Sequence, residues 1–292
     1  MNRDIPLTIP LNISIVVANF NNESFLGDFF LSIIKSKVAI KELLFVDDGS
    51  YDNSLNIVYS FKEQIPFLKV IPLRKNKGLP TALNIGIDQA LGKYIMRIDP
   101  DDFISPLRIV TQYSLLQQNP QIDIVGSNVY YYNHFLKKVI FRSSFPEDFP
   151  AIYKLYKLGH HGVSHNSIMG KTEIFKKYKY DAKAFPAEDY EIFSRMITNN
   201  VTLQNISTPL TYYRIHNKNI SLLKINEIFQ KVSFYQKYYF GKKSSKLYLK
   251  RKTIHFKYFR KALIAKNKLG RYFLFFISSL FFPSKFLKRV FY

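Results

Sequence analysis

The sequence predicts an α/β fold: a mixed, mostly parallel sheet flanked by helices, followed by a helical tail rich in basic and aromatic residues. Three observations carry that expectation. β-branched or apolar runs alternate with amphipathic stretches four times in about 100 residues, the pattern of parallel strands joined by right-handed crossovers. Three of the runs stop at turns rich in Asn and Asp. Beyond residue 221 the charge balance changes sharply.

Taken in order, Ile13–Val17 is a β-branched run too short for a helical period, hence a buried strand that stops at Ala18-Asn19-Phe20-Asn21-Asn22. Phe25, Leu26, Phe29, Phe30, Ile33 and Ile34 then recur at three- and four-residue spacing, one face of a helix. Glu42–Val46 is a second strand, ending in Asp47-Asp48-Gly49-Ser50. Leu55, Val58 and Tyr59 begin a second helix, and Leu68–Leu73 forms a third strand. The loop Asn76-Lys77-Gly78-Leu79-Pro80 opens a helix over Thr81–Leu91. Tyr94–Ile98 is a fourth strand, ending in Asp99-Pro100-Asp101-Asp102. After Ser105 the order is less regular, with a strand over Ile122–Tyr131 and a polar-aromatic stretch to Pro150. A His-rich segment follows (His160, His161, His165), then helices over Glu173–Tyr178 and Glu188–Thr198 and a strand over Pro209–Ile215.

In such sheets the carboxyl ends of parallel strands line the ligand crevice. Acids about 50 residues apart, in 47–50 and 99–102, are therefore expected to meet at one edge.

Composition narrows the chemistry. The chain has 292 residues and no cysteine, which excludes disulfide scaffolds, thiolate metal sites and cysteine nucleophiles. Residues 1–10 do not read as a secretory signal, and the longest apolar run, Tyr272–Phe282, is too short to span a bilayer. A cytoplasmic setting is expected. The formal net charge is +22, yet 18 of the 43 basic residues and only one acid, Glu227, lie beyond residue 221. The basicity belongs to a tail and not to the body.

Asp99, Asp101 and Asp102 place three carboxylates after a strand, with Pro100 stiffening the turn. Hard cations such as Mg²⁺ or Mn²⁺ take one or two carboxylates plus substrate phosphates. A solvated acidic turn or a helix cap would use the same residues. Asp47-Asp48-Gly49-Ser50 repeats the logic, with one carboxylate available to a base or ribose and a plain strand–helix turn as the alternative. Asn76-x-Gly78 lets a backbone approach a phosphate closely. No Walker A sequence and no G-x-G-x-x-G is present. Glu188-Asp189 opens a helix, with Arg195 six residues on; a carboxylate there serves as a general base or simply favours the helix dipole. His165 and His216 are single loop histidines, ordinarily hydrogen-bonding residues.

Together these segments resemble a family 2 glycosyltransferase. The matching stretches are I-S-I-V-V-A-N-F-N-N (13–22), L-L-F-V-D-D-G-S-Y-D-N-S (43–54), N-K-G-L-P-T-A-L-N-I-G-I-D-Q-A-L-G-K-Y-I (76–95) and R-I-D-P-D-D-F (97–103). S-H-N-S-I-M (164–169), A-E-D-Y-E-I-F-S-R (187–195) and Y-Y-R-I-H-N (212–217) complete them. The resemblance covers about residues 10–221 and implies a GT-A-type, Rossmann-like fold. It also implies metal-dependent, inverting transfer of a hexose from a nucleotide diphosphate donor, most commonly a UDP-sugar. Within 1–221, about 10–110 would bind the nucleotide-sugar and about 111–221 would carry the acceptor side and the catalytic base.

The resemblance makes Phe20 a base-stacking residue and Asp48 the base-contacting acid, with Asn21, Asn76 and Gly78 in the donor site. Phe20 stands where Tyr is commoner, and A-N-F-N replaces P-x-Y-N. Asp99 falls on the ribose or metal side, Asp101 becomes the direct metal ligand, and His216 lies near the metal or diphosphate. Asp189 becomes the catalytic base. Glu188, His165 and Arg195 are acceptor-side candidates.

The tail, 222–292, interleaves cations with Phe, Tyr, Leu and Ile. Interfacial helices on an anionic membrane are expected, each cation contributing on the order of 1 kcal/mol; the alternative is an arm packed on the body. The acceptor expected with such a tail is a glycan or lipid-linked saccharide of surface polysaccharide synthesis, at the inner face of the cytoplasmic membrane. A nucleic-acid-binding protein would leave the ordered acidic turns unexplained, and an idle sugar-nucleotide-binding module would not need Asp99, Asp101 and Asp189 together.

Overall fold

Strand β1 (Leu11–Asn19) sends Ile13, Ile15 and Val17 to one face of the sheet and Val16 and Ala18 to the other, so both faces must be covered. The computed structural model describes residues 10–242 and 244–281. Helix α1 (Glu23–Lys35) follows, then β2 (Ile40–Asp47), α2 (Ser54–Ser60), β3 (Leu68–Pro72), α3 (Leu79–Gln89) and β4 (Tyr94–Arg97). These strands lie in the order β3-β2-β1-β4, all parallel. Their carboxyl ends consequently share one edge.

The second half is mixed. It contains β5 (Phe103–Ile104), α4 (Arg108–Gln118), β6 (Ile124–Asn133), β7 (Lys138–Arg142), α5 (Phe149–Lys157), β8 (Met169–Lys171), α6 (Thr172–Tyr178), α7 (Glu188–Thr198) and β9 (Leu203–Ile215). β8 joins β4 to β6 by antiparallel pairing, β6 and β9 run parallel, and β5 pairs antiparallel with the end of β9. Helices α1, α2 and α4 cover one face, while α3, α5, α6 and α7 cover the other.

Several elements lie outside the expected pattern. Helix α4 buries Arg108 and Gln112 beside Ile109 and Leu116, and those polar residues break the apolar period. The stretch read as polar-aromatic holds β7 and α5, whose N-cap Asp148 accepts from the Ala151 amide at 2.8 Å. β9 begins at Leu203, six residues before Pro209; its Gln204–Thr208 portion is mostly polar and so gives no apolar run to mark a strand.

Among the described residues four helices follow: α8 (Ile220–Leu223), α9 (Ile225–Phe240), α10 (Lys246–Ile264) and α11 (Lys268–Phe281). The expected helices are present, but α9 and α10 pack on the body instead of lying free. Phe229 and Val232 of α9 are buried, and Tyr239 donates to Glu191 of α7 at 2.6 Å. Phe259 and Leu263 of α10 pack with Ile215 at the end of β9, and Lys252 donates to the Gly159 carbonyl at 2.6 Å. Phe229 and Phe259 are core, as in the packed-arm alternative, while Phe234 and Tyr238 of α9 stay exposed. Phe282, Pro283, Lys285, Lys288 and Arg289, read with the tail, lie outside the described residues, as do residues 1–9.

Candidate active site at the carboxyl edge of the sheet

The ends of β1 and β2 are tied together by side chains. Asn19 Nδ2 donates to Asp47 Oδ1 at 2.8 Å, and the Ser50 hydroxyl donates to the same oxygen at 2.7 Å. Asn21, at φ +55°, donates its amide to Ser50 Oγ and accepts from the Tyr51 amide, both at 3.0 Å. Gly49 has φ +71°, and a Cβ there would stand 2.7 Å from the Lys75 carbonyl carbon. Only glycine lets the 75–76 backbone cross so closely.

Asp48 is buried, and its two oxygens accept from the Lys77 amide at 2.7 Å and the Gly78 amide at 2.8 Å. Burial raises its pKa above the ordinary carboxylate value despite those bonds. The residue read as a base contact thus holds the 76–78 loop in place. Gly78 sits at φ +87°, and its amide also meets Asn76 Oδ1 at 3.1 Å. Phe20 is 40% exposed at this corner, with Tyr51, 86% exposed, edge-on to it at 5.9 Å. Tyr51 escaped the sequence reading because an exposed aromatic in a turn carries no spacing signal.

Two strands away, about 10 Å at normal strand spacing, lies the acidic turn after β4. Asp99 is paired with the buried guanidinium of Arg97 through both oxygens, one bond at 2.8 Å. Burial, with the Asp101 charge beside it, still pushes Asp99 up to about 6. Asp102 is buried and engaged, accepting from Asn166 Nδ2 and from the Arg214 amide. Burial and the charges of Asp101 and Asp99 raise its pKa well above the usual range.

Arg214 also donates to the Asp101 carbonyl at 2.7 Å and to Asp28 at 2.8 Å, clamping the turn between β9 and α1. Arg108 donates to the Arg97 and Asn166 carbonyls from behind. The Asp101 side chain remains partly open, with His216 Nε2 at 2.9 Å from its Oδ2. Lys218 N–H donates to His216 Nδ1 at 3.2 Å, and Nε2 is the nitrogen turned to Asp101, with Asn219 Nδ2 3.1 Å from it. The ring thus stands beside Asp101 Oδ2, placed to orient that carboxylate.

Ligand atoms of Asp99, Asp101 and Asp102 lie within 4.8 Å of one another, an all-oxygen donor set that fits a hard divalent cation. Asp101 is the freest ligand of the three, since Arg97 engages Asp99 and Asn166 and Arg214 engage Asp102.

The start of α7 faces this turn. Asp189 is half-buried, with His161 Nε2 3.1 Å from its Oδ2. Burial alone would raise its pKa, but the His161 charge and contact outweigh it and hold the carboxyl well below the usual range. Its charge is felt at Asp99. Glu188 is buried with Oε2 unpartnered; burial and the adjacent Asp189 push it up to about 8, so it carries a proton at neutral pH. His165 contacts the Tyr180 hydroxyl at 2.6 Å, and burial together with the Arg97 charge keeps its ring neutral. Arg195 is not brought into the site: it pairs with Glu191 and donates to the Tyr178 and Lys179 carbonyls, fastening α7 to the end of α6.

This edge brings together a turn held by Asp48, an oxygen cluster whose donor set fits a hard cation, and the carboxylate of Asp189. Residues 14–179 match the family model described as Glycosyl transferase family 2. An uncharacterized glycosyltransferase of Methanocaldococcus jannaschii is 29% identical over 220 residues, 74% of this chain and 74% of that protein. TarS of S. aureus, solved in complex with UDP-GlcNAc, is similar in fold: TM-score 0.58, 18% identity, 94% of this chain and 80% of that one. So is the mannosyltransferase PcManGT from Pyrobaculum calidifontis, solved in complex with GDP-Man and Mn²⁺, with TM-score 0.63 and 14% identity over 96% of this chain and 83% of that one. The fold is therefore of the GT-A type.

Proposed function

The chain belongs to glycosyl transferase family 2, and from that membership we propose that it is an inverting hexosyltransferase. It moves a sugar from a nucleotide diphosphate donor, a UDP-sugar, to a hydroxyl of a glycan or lipid-linked saccharide in cell-surface polysaccharide biosynthesis. The observation that carries this reading is the gathering of Asp101 and Asp189 about Asp99, itself paired with Arg97, at the carboxyl edge of the parallel strands.

In this reading Phe20 stacks on the nucleobase, while Asn21 and Asp48 hold the two loops that frame it. The 76–78 backbone, with Asn76 and Gly78, approaches the diphosphate. Asp101 and Asp99 hold Mn²⁺ or Mg²⁺, with His216 orienting Asp101. The ion, when bound, offsets the negative charge that grows on the departing diphosphate. Asp189 takes the proton of the acceptor hydroxyl as its oxygen bonds to the anomeric carbon. The bond from that carbon to the diphosphate oxygen breaks on the opposite face, and the nucleotide diphosphate leaves with the electron pair. His161 keeps Asp189 ionised for that step, with Glu188 and His165 on the acceptor side.

Residues 1–221 form the catalytic part and 222–292 an appended tail. The working place is the inner face of the cytoplasmic membrane, where a lipid-linked acceptor is available. Among the described residues no helix is long and apolar enough to cross a membrane. A thermal-shift screen of UDP, GDP and dTDP, each with and without Mn²⁺, tests the donor reading. UDP with Mn²⁺ should raise the melting temperature most. No shift with any nucleotide would reject the assignment.

A further inference from the structure

Helix α11 differs from the helices beneath it. Leu269, Tyr272, Phe273, Phe276 and Leu280 are all 58–84% exposed. At 100° per residue they fall on one arc of about 100°, a single stripe along the helix. Phe275 packs inward toward Phe259, and Ser278 is buried against His255, so the stripe points away from the body. Five large apolar side chains on one outward face are costly in water, and scattered surface apolar residues do not make such a stripe.

Over 246–281 the chain carries ten Lys and Arg and no acid. Lys250, Lys257, Lys261, Lys266 and Lys268 are exposed. A second copy docking through the same face would bring two basic, acid-free segments together, and one stripe is small beside the ~1,200 Å² of a specific interface. An anionic lipid surface meets both features: the aromatic stripe enters the headgroup boundary and the cations stay with the lipid phosphates.

We propose that the outward face of α11 is the membrane-docking surface of this protein, held by the α9–α10 arm that packs on the catalytic body. This rests on the proposed function only in naming where a lipid-linked acceptor would be met, and it deepens that reading by separating the docking helix from the packing arm.

The test is sedimentation of the full chain with vesicles of phosphatidylcholine alone and with one-third phosphatidylglycerol. The wild type should pellet with the anionic vesicles and stay in solution with the neutral ones. Phe273→Glu with Phe276→Glu should lower the bound-to-free ratio at least tenfold while melting with the wild type. Leu269→Glu with Leu280→Glu, at the two ends of the stripe, repeats the measurement should the first pair disturb packing. Equal pelleting of wild type and both variants would overturn the proposal, as would a wild type that ignores anionic vesicles. So would a dimer in light scattering that the variants dissolve, which would assign the face to a second copy. Nucleotide binding is read separately by thermal shift, so loss of one reading leaves the other standing.

Discussion

His216 Nε2 stands 2.9 Å from Asp101 Oδ2, joining the end of β9 to the turn after β4 across 115 residues of chain. The imidazole is itself held, with its ring packed on Phe25 at 4.5 Å and Nδ1 accepting from the Lys218 amide. The carboxylate that is freest to bind a cation is thus fixed by a partner that is itself held in place. Groups that orient a ligand commonly matter tenfold or more to metal affinity.

His216→Ala should therefore weaken Mn²⁺ binding in the presence of UDP by about tenfold. Titration of Mn²⁺ by thermal shift or calorimetry measures it. An unchanged affinity would show that Asp101 needs no orienting partner.

The His161–Asp189 pair makes a graded expectation. Asp189→Asn removes the base and should lower UDP-sugar hydrolysis by about 10²–10⁴-fold. His161→Ala leaves the carboxylate but removes the ring that faces it at 3.1 Å, so a smaller fall of about tenfold in kcat is expected, with the donor KM unchanged. Steady-state kinetics with UDP-GlcNAc, UDP-Glc and UDP-Gal separate the two parameters. A His161→Ala enzyme with altered KM and normal kcat would move His161 to donor binding.

Glu188 ties stability to pH. Its carboxyl is pushed up to about 8, whereas in the unfolded chain it releases its proton near the ordinary value of 4.5. Between those values the folded chain binds more protons than the unfolded one, so this group lowers stability as pH rises, and the loss is complete above about pH 8. Glu188→Gln stays neutral throughout. It should melt higher than wild type at pH 9 and close to wild type at pH 5, read by circular dichroism. Parallel pH profiles for the two proteins would contradict the buried, protonated Glu188.

The first half of the fold was legible because its strands are short apolar runs, three of them ending in turns rich in Asn and Asp, and Ile13–Val17 and Tyr94–Ile98 need no partner to be recognised. The acids at 99–102 and the Glu188-Asp189 pair were legible for the same reason, as charges placed beside element ends. Partners that reach the site through folding were not. His161 arrives on the loop after α5, and nothing in its neighbours marks it as the residue beside Asp189. Asp48 carried the opposite lesson: the acid was recognised, but its bonds to the Lys77 and Gly78 amides come from a loop about 30 residues on. Arg195 looked available because it follows the acids by six residues, yet the helix turns it toward the Tyr178 and Lys179 carbonyls. In the tail, aromatic spacing showed amphipathic helices but not which faces would find the body; Phe259 is buried with Leu263 and Ile215, while Phe276 stays 58% exposed.

The most direct measurement is divalent-dependent release of UDP from a UDP-sugar by wild type and by Asp101→Ala. Wild type should turn over with Mn²⁺ or Mg²⁺ and lose activity with a chelator, and Asp101→Ala should be inactive while melting as a folded protein. Release of UDP by Asp101→Ala at the wild-type rate, or equal release with and without the ion, would contradict the acidic edge as the seat of sugar transfer.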